Sequence, residues 1–325
     1  MTRPRWALAA ALALASCSPP PAAPPTAPVG ASAPVAPPAA APVEVAVTVD
    51  DLPLHGPDFA GVDRVAIADR LLAAFRAHRL PPVYGFVNGK KVDEHPESRA
   101  VLEHWRAAGQ PLGNHTYSHV SLTDSAVADY LADLEKGEAV LRALQPDEAI
   151  WRFFRYPFLF EGDTLEKREA VRRYLTEHRY TIAEVSLDGD DWAWNAPFAR
   201  CTDRHDTPAL AELRRGYVQT HVDELRYIRE ATRLLAGRPV KQVLLLHVGA
   251  ADADAIEELL TAYEHEGVRW IDLPTALADP FYAEDPHRPW RAGAAFPYAI
   301  ARARGVKLPP SPKRPAEDKL ETTCR

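Results

Sequence analysis

From Pro42 onward, short apolar runs alternate with longer stretches of helical periodicity, and no other feature of the chain limits its fold so strongly. Strand-like runs rich in Val, Ile and aromatics fall at 45–49, 82–87, 151–154, 181–187, 242–247 and 268–271. Helix-like stretches lie between them at 63–79, 97–108, 123–144, 165–178, 208–237 and 252–266. In the first of these, Val65, Ala68, Leu72 and Phe75 recur on one face while Arg64, Asp69, Arg70 and Arg76 lie elsewhere. A βαβα order requires crossover connections, so the expected fold class is α/β: a mostly parallel sheet with helices, closed as a barrel or left open. Ligands of such folds gather at the carboxyl ends of the strands.

What the strands end in is therefore informative. The run Val45-Ala46-Val47-Thr48-Val49 ends in Asp50-Asp51, the run through Phe154 in Arg155, and Val243-Leu244-Leu245-Leu246 in His247. Asp188 and Asp191 follow the run from Thr181, and His115 and His119 follow the short apolar segment Pro111-Leu112-Gly113. On a helix, two histidines four apart lie roughly 40° apart around the axis and can reach one ion. One carboxylate completes a three-ligand set with an open position, the arrangement of a catalytic zinc. If one carboxylate of the Asp pair binds the cation, the other is free as a base beside water acidified by the ion. The competing readings are a solvated helix face for the histidines, a helix cap for one Asp, a surface salt bridge for Arg155, a turn for Asp188 and core packing for Trp192 and Trp194.

The ends of the chain carry a different message. Met-Thr-Arg-Pro-Arg precedes an apolar run from Trp6 to Ala15, too short for the roughly 20 residues of a membrane span but suited to a secretory signal. Leu14-Ala15-Ser16-Cys17 resembles a bacterial lipobox, so residues 1–16 read as a signal peptide and Cys17 as a lipidated mature N-terminus. The alternative is an ordinary signal peptide with an incidental cysteine. The Pro/Ala-rich segment up to Pro42 cannot bury a core and reads as a tether, 17–42. The expected location is the cell envelope or periplasm, with the membrane as partner through the lipid. With 38 basic against 45 acidic residues and no long basic cluster, nucleic acid is not an expected partner. Cys201 and Cys324 are then either a disulfide or two free thiols.

Thr48-Val49-Asp50-Asp51, His115-Thr116-Tyr117-Ser118-His119, Arg155-Tyr156-Pro157-Phe158-Leu159, Asp188-Gly189-Asp190-Asp191-Trp192 and Leu244-Leu245-Leu246-His247 resemble, in order, the motifs of polysaccharide deacetylases, the NodB-homology group of carbohydrate esterases. The resemblance implies a distorted (β/α) barrel over residues 43–282, with 283–325 as a C-terminal extension, and a divalent metal, zinc or alternatively cobalt. It implies Asp51, His115 and His119 as metal ligands and Asp50 as general base held by Arg155. It also implies His247 as general acid oriented by Asp191, the Phe158 backbone N–H as an oxyanion donor, and Trp192 and Leu246 as walls of an acetyl pocket. The implied reaction is removal of N-acetyl groups from an amino-sugar glycan such as peptidoglycan. Alternatives are O-acetyl esters or a non-sugar amide as substrate, or a glycan-binding module without catalysis. The chain departs from the pattern at Leu52-Pro53 and Leu159, where the family usually has glycine, so altered backbone geometry is expected at both loops.

Overall fold

In the computed structural model, residues 42–291, 293–314 and 317–325 are described. The signal segment, Cys17 and the tether up to residue 41 lie outside them. Eight strands form one parallel sheet: β1 (Val43–Leu52), β2 (Tyr84–Val87), β3 (Leu112–Asn114), β4 (Phe153–Phe154), β5 (Thr181–Ile182), β6 (Leu187–Asp188), β7 (Gln242–His247) and β8 (Val268–Trp270). Their order is β5-β4-β3-β2-β1-β7-β6, with β8 pairing the start of β1 through Val43 to Val45.

The single apolar run expected over 181–187 is two strands, β5 and β6, at opposite edges of this sheet. Laid flat, seven strands at about 4.8 Å spacing would hold those edges about 29 Å apart. The link from Ile182 to Leu187 spans at most about 18 Å. The sheet must therefore curl until its edges approach, and the result is the expected distorted barrel, open on one side.

Alternation along the two central strands sorts side chains between two cores. Val45, Val47 and Val49 of β1 and Leu244 and Leu246 of β7 pack outward against the helices. Ala46 and Val243 face the barrel interior with Phe86, Ile271, Phe281 and Phe296. Thr48 and Asp50 follow Ala46 on the same face at strand period two, which brings Asp50 to the interior at the carboxyl end.

The helices start where side-chain caps allow it. Asp63 accepts from the N–H groups of Val65 and Ala66 ahead of Arg64–Ala77, and Asp206 caps Thr207–Ala236, which ends at the left-handed Gly237. That long helix packs through Leu213, Tyr217, Leu225 and Ile228, all buried. The helix Asn195–Asp203 buries Pro197, Ala199 and Cys201. The segment after residue 282 packs onto the barrel. Phe296 and Ile300 fill the barrel interior, the backbone of Trp290 bridges to Gly162, and a disulfide joins Cys201 to Cys324 with Cα atoms 5.2 Å apart.

Candidate metal and catalytic site

The carboxyl ends of β1, β3, β4, β6 and β7 open into one cavity of about 550 Å³, lined by Asp50, Asp51, His115, His119, Asp188, Trp192 and His247 among others. The strand-end residues singled out in the sequence thus converge, although not always as the sequence suggests.

Asp50 is 2% exposed. Arg155 Nη1 donates to both of its oxygens at 3.1 Å, Nη2 donates to Thr48 Oγ1 at 3.0 Å, and Nε donates to the Ala183 carbonyl at 2.6 Å. Burial raises the Asp50 carboxyl to about 6, with Arg155 opposing the rise. A buried carboxylate that accepts charge-assisted hydrogen bonds from one guanidinium nitrogen stays largely ionised near neutral pH.

Asp51 turns away from the strand with φ +66°. Its Oδ1 is buried and makes no hydrogen bond. His119 Nε2 stands 3.5 Å from that oxygen, His115 Nε2 3.7 Å, and Lys91 Nζ 3.3 Å. The imidazole distances are too long for hydrogen bonds. Zinc ligands at about 2.0 to 2.1 Å in tetrahedral geometry lie about 3.3 Å from one another. The orphaned oxygen and the two imidazoles therefore fit a cation between them, and Asp51, His115 and His119 form a candidate metal set.

The histidines do not share a helix. His115 directly follows β3, and the chain to His119 is a loop with left-handed residues at Thr116 (φ +61°) and His119 (φ +58°). Asn114 Oδ1 accepts from the Thr116 N–H at 2.8 Å, and Asp133 accepts from the N–H and hydroxyl of Ser118, so the loop is built on side-chain caps. His115 Nδ1 donates to the Arg155 carbonyl at 2.8 Å, leaving Nε2 unprotonated toward Asp51. Burial lowers the His115 pKa well below the ordinary value and takes His119 to about 4, so both rings are neutral as ligands must be. Burial works against the Asp51 charge, but Lys91, His55 and His119 outweigh it and hold the carboxyl well below its usual range.

Across the cavity, His247 Nδ1 donates to Asp191 Oδ1 at 2.9 Å and its backbone N–H donates to Oδ2 at 2.6 Å. Asp191 is fully buried and raised by that burial to about 7; it is hydrogen-bonded to Asp252, which burial raises to about 8. Tyr217 and Asn195 donate to the Asp252 oxygens at 2.7 and 3.1 Å. Phe158 and Trp192 are half exposed on the rim, and the Phe158 ring lies 4.4 Å from that of His119.

One expectation needs correction. Leu246 is fully buried in the outer core; Leu245, on the same face of β7 as His247, lines the cavity instead. A one-residue offset in a strand reverses the face. At Leu159 the backbone is left-handed with φ +54°, beside Phe158 at φ +58°, a conformation that glycine adopts without steric cost and leucine does not. Sequence reasoning passed over His55, Lys91 and Asp252. For His55 the available signal was its spacing from Asp51, four residues on.

The sequence model of the polysaccharide deacetylase family matches residues 39–182, which supply Asp50, Asp51, His115, His119 and Arg155 but neither Asp191 nor His247. The peptidoglycan-N-acetylglucosamine deacetylase of Bacillus cereus is 28% identical over 149 residues, 46% of each protein, so the chain spans less than half the length of this relative. In structure, the chain resembles the chitin deacetylase of Colletotrichum lindemuthianum (TM-score 0.51, 20% identity, covering 78% of this chain and 94% of that one). It is equally similar to a polysaccharide deacetylase of Bacillus cereus (TM-score 0.50, 17% identity, 71% and 91%) and a CE4 family pseudoenzyme of Bacillus anthracis (TM-score 0.50, 14% identity, 73% and 66%). At such identities the structural likeness speaks for the fold and not for catalysis. The family match and the Bacillus cereus relative support a polysaccharide deacetylase domain over less than half of the chain, and the solved structures support the curled parallel sheet alone.

Proposed function

We propose that the chain is a metal-dependent hydrolase that removes N-acetyl groups from an amino-sugar glycan of the cell envelope, such as peptidoglycan, with zinc held by Asp51, His115 and His119 and cobalt as a functional substitute. The observation that carries this reading is the pairing of Asp50 with Arg155 beside the candidate metal set, with His247 on the far wall of the same cavity. The relative named above, which acts on peptidoglycan N-acetylglucosamine, favours the substrate class. The signal-like and lipobox-like residues up to Cys17 favour export and anchoring by lipid, which would place the domain within reach of that polymer.

An amide needs an activated water, stabilisation of the developing oxyanion and a proton for the departing amine. A divalent ion, when bound, acidifies water and polarises the carbonyl. Asp50 takes the proton of the attacking water, and Arg155 keeps the Asp50 carboxyl ionised for that task. The Phe158 backbone N–H is assigned to the oxyanion. His247 gives its Nε2 proton to the leaving nitrogen, while Asp191 fixes the ring by accepting from Nδ1. Leu245 and Trp192 flank the acetyl methyl. Acetate release from N-acetylglucosamine oligomers and peptidoglycan fragments tests the proposal. Release should be lost in Asp50→Asn and on chelation and return with Zn²⁺ or Co²⁺. Full turnover by metal-free protein, or glycan binding with no turnover, overturns it.

A further inference from the structure

His55 lies in the turn that replaces the glycine usual after the Asp pair. Its ring donates from Nδ1 to Asp51 Oδ2 at 2.8 Å and lies 4.4 Å, centroid to centroid, from the ring of His247. The turn is pinned from outside: Lys91 Nζ donates to the Leu54 carbonyl at 3.0 Å, and Arg64 Nη1 donates to the carbonyl of His55 itself at 2.6 Å. The imidazole is therefore held over the ligand carboxylate by fixed backbone, and it lines the same cavity.

The two oxygens of Asp51 have opposite surroundings. Oδ1 has no hydrogen bond, faces two imidazole nitrogens at 3.5 and 3.7 Å, the spacing an intervening ion would need, and has the Lys91 ammonium at 3.3 Å as an ion-pair partner. Oδ2 is already satisfied by a direct hydrogen bond at 2.8 Å, which leaves no room for an ion between it and His55. Asp51, His55 and His247 do bring ligand atoms within 4.8 Å of one another, which could suggest a second cation. The short contact favours a hydrogen bond over a metal bridge.

We propose that His55 is a positioning residue of the metal site. By occupying Oδ2 it commits Asp51 to bind an ion through Oδ1 alone and prevents the carboxylate from rotating to chelate it with both oxygens. Partners of this kind orient metal ligands, and their removal typically costs about 10- to 100-fold in metal affinity. The inference rests on the metal-dependent reading above.

The test is Co²⁺ and Zn²⁺ affinity of the full chain, measured by competition with a chromophoric chelator, together with the visible spectrum of the Co²⁺ form. His55→Ala should bind about 10- to 100-fold more weakly, and its Co²⁺ absorption should weaken as the coordination number rises. His55→Asn, whose amide can donate to Oδ2, should recover most of the affinity and the spectrum. Wild-type protein that binds Co²⁺ while His55→Ala binds it equally well overturns this inference and leaves the metal reading standing. Two ions in the wild type falling to one in His55→Ala overturns it in favour of a second cation site. Wild-type protein that takes up neither ion overturns the metal reading and this inference with it.

Discussion

Arg155→Met is the sharpest perturbation of the site, because it keeps the bulk of the side chain and deletes four hydrogen bonds. In the wild type the guanidinium is 1% exposed, donates to Asp50, Thr48 and Ala183, and lies 4.7 Å above the Phe86 ring. Burial is the largest influence on Asp50 and Arg155 the main one opposing it, with the carboxyl reaching about 6. At about pH 7 such a group is about nine-tenths ionised. Without the guanidinium, burial dominates and the carboxyl rises past the assay pH. Each further unit then lowers the ionised fraction, and with it the rate, about tenfold. The acid limb of acetate release should move to higher pH and the neutral-pH rate should return as the medium is made alkaline. Stability should fall as well, because breaking a buried pair from one side costs about 3 to 5 kcal/mol. The loss should be smaller in acid, where Asp50 is protonated with or without the guanidinium and folding of the variant requires no proton uptake by its carboxyl. Urea unfolding at acidic and neutral pH alongside the pH-rate profile checks both. An acid limb that stays in place with a loss under about 1 kcal/mol at neutral pH would refute the assigned pairing.

The two faces of β7 should respond in opposite ways. Leu246→Ala is expected to cost about 2 to 5 kcal/mol in urea unfolding with little change in KM, whereas Leu245→Phe should narrow the cavity and lower kcat/KM on acetylated oligomers while the fold stays close to wild type. Equal effects on KM would refute the assignment of Leu245 to the cavity wall. For the buried carboxyl pair, burial raises Asp252 from 3.8 to about 8 and Asp191 to about 7. A raised carboxyl stabilises the fold fully below its unfolded value and loses that contribution as pH rises through the folded value. Asp252→Asn keeps one acceptor oxygen for the Tyr217 and Asn195 donors and removes one titration, so its stability, lower overall, should decline less between pH 3.8 and about 8 than that of the wild type. Unfolding midpoints across that window that track the wild type would rule this out.

The parallel sheet was legible because strand period, helix period and cap residues all agree between Val43 and Trp270. The strand-end residues were legible for a related reason: a parallel α/β fold delivers the carboxyl ends of its strands to one rim, so Asp50, Arg155 and His247 needed only correct strand assignments. What escaped was set by backbone conformation in the loops. Asp51, Thr116, His119, Phe158 and Leu159 all have positive φ, between 54° and 66°, and none is glycine. Such residues give no sign in sequence that the chain reverses there. Treated as helix or extended loop, His115 and His119 met for the wrong reason, the left-handed turn at Phe158 and Leu159 went unread, and His55 had no path back to Asp51. Left-handed conformations at ordinary residues cost roughly 1 to 2 kcal/mol each and persist only where surrounding contacts enforce them. Here the enforcing groups can be named: Asn114 and Asp133 around the histidine loop, Lys91 and Arg64 around the turn after Asp51. Left-handed backbone also occurs away from the site, at Arg79, Arg179, His205 and His287, but on the rim it carries ligand-bearing loops, and a rim held this way resists the small rotations that would let Asp51 or His119 drift from a shared ion.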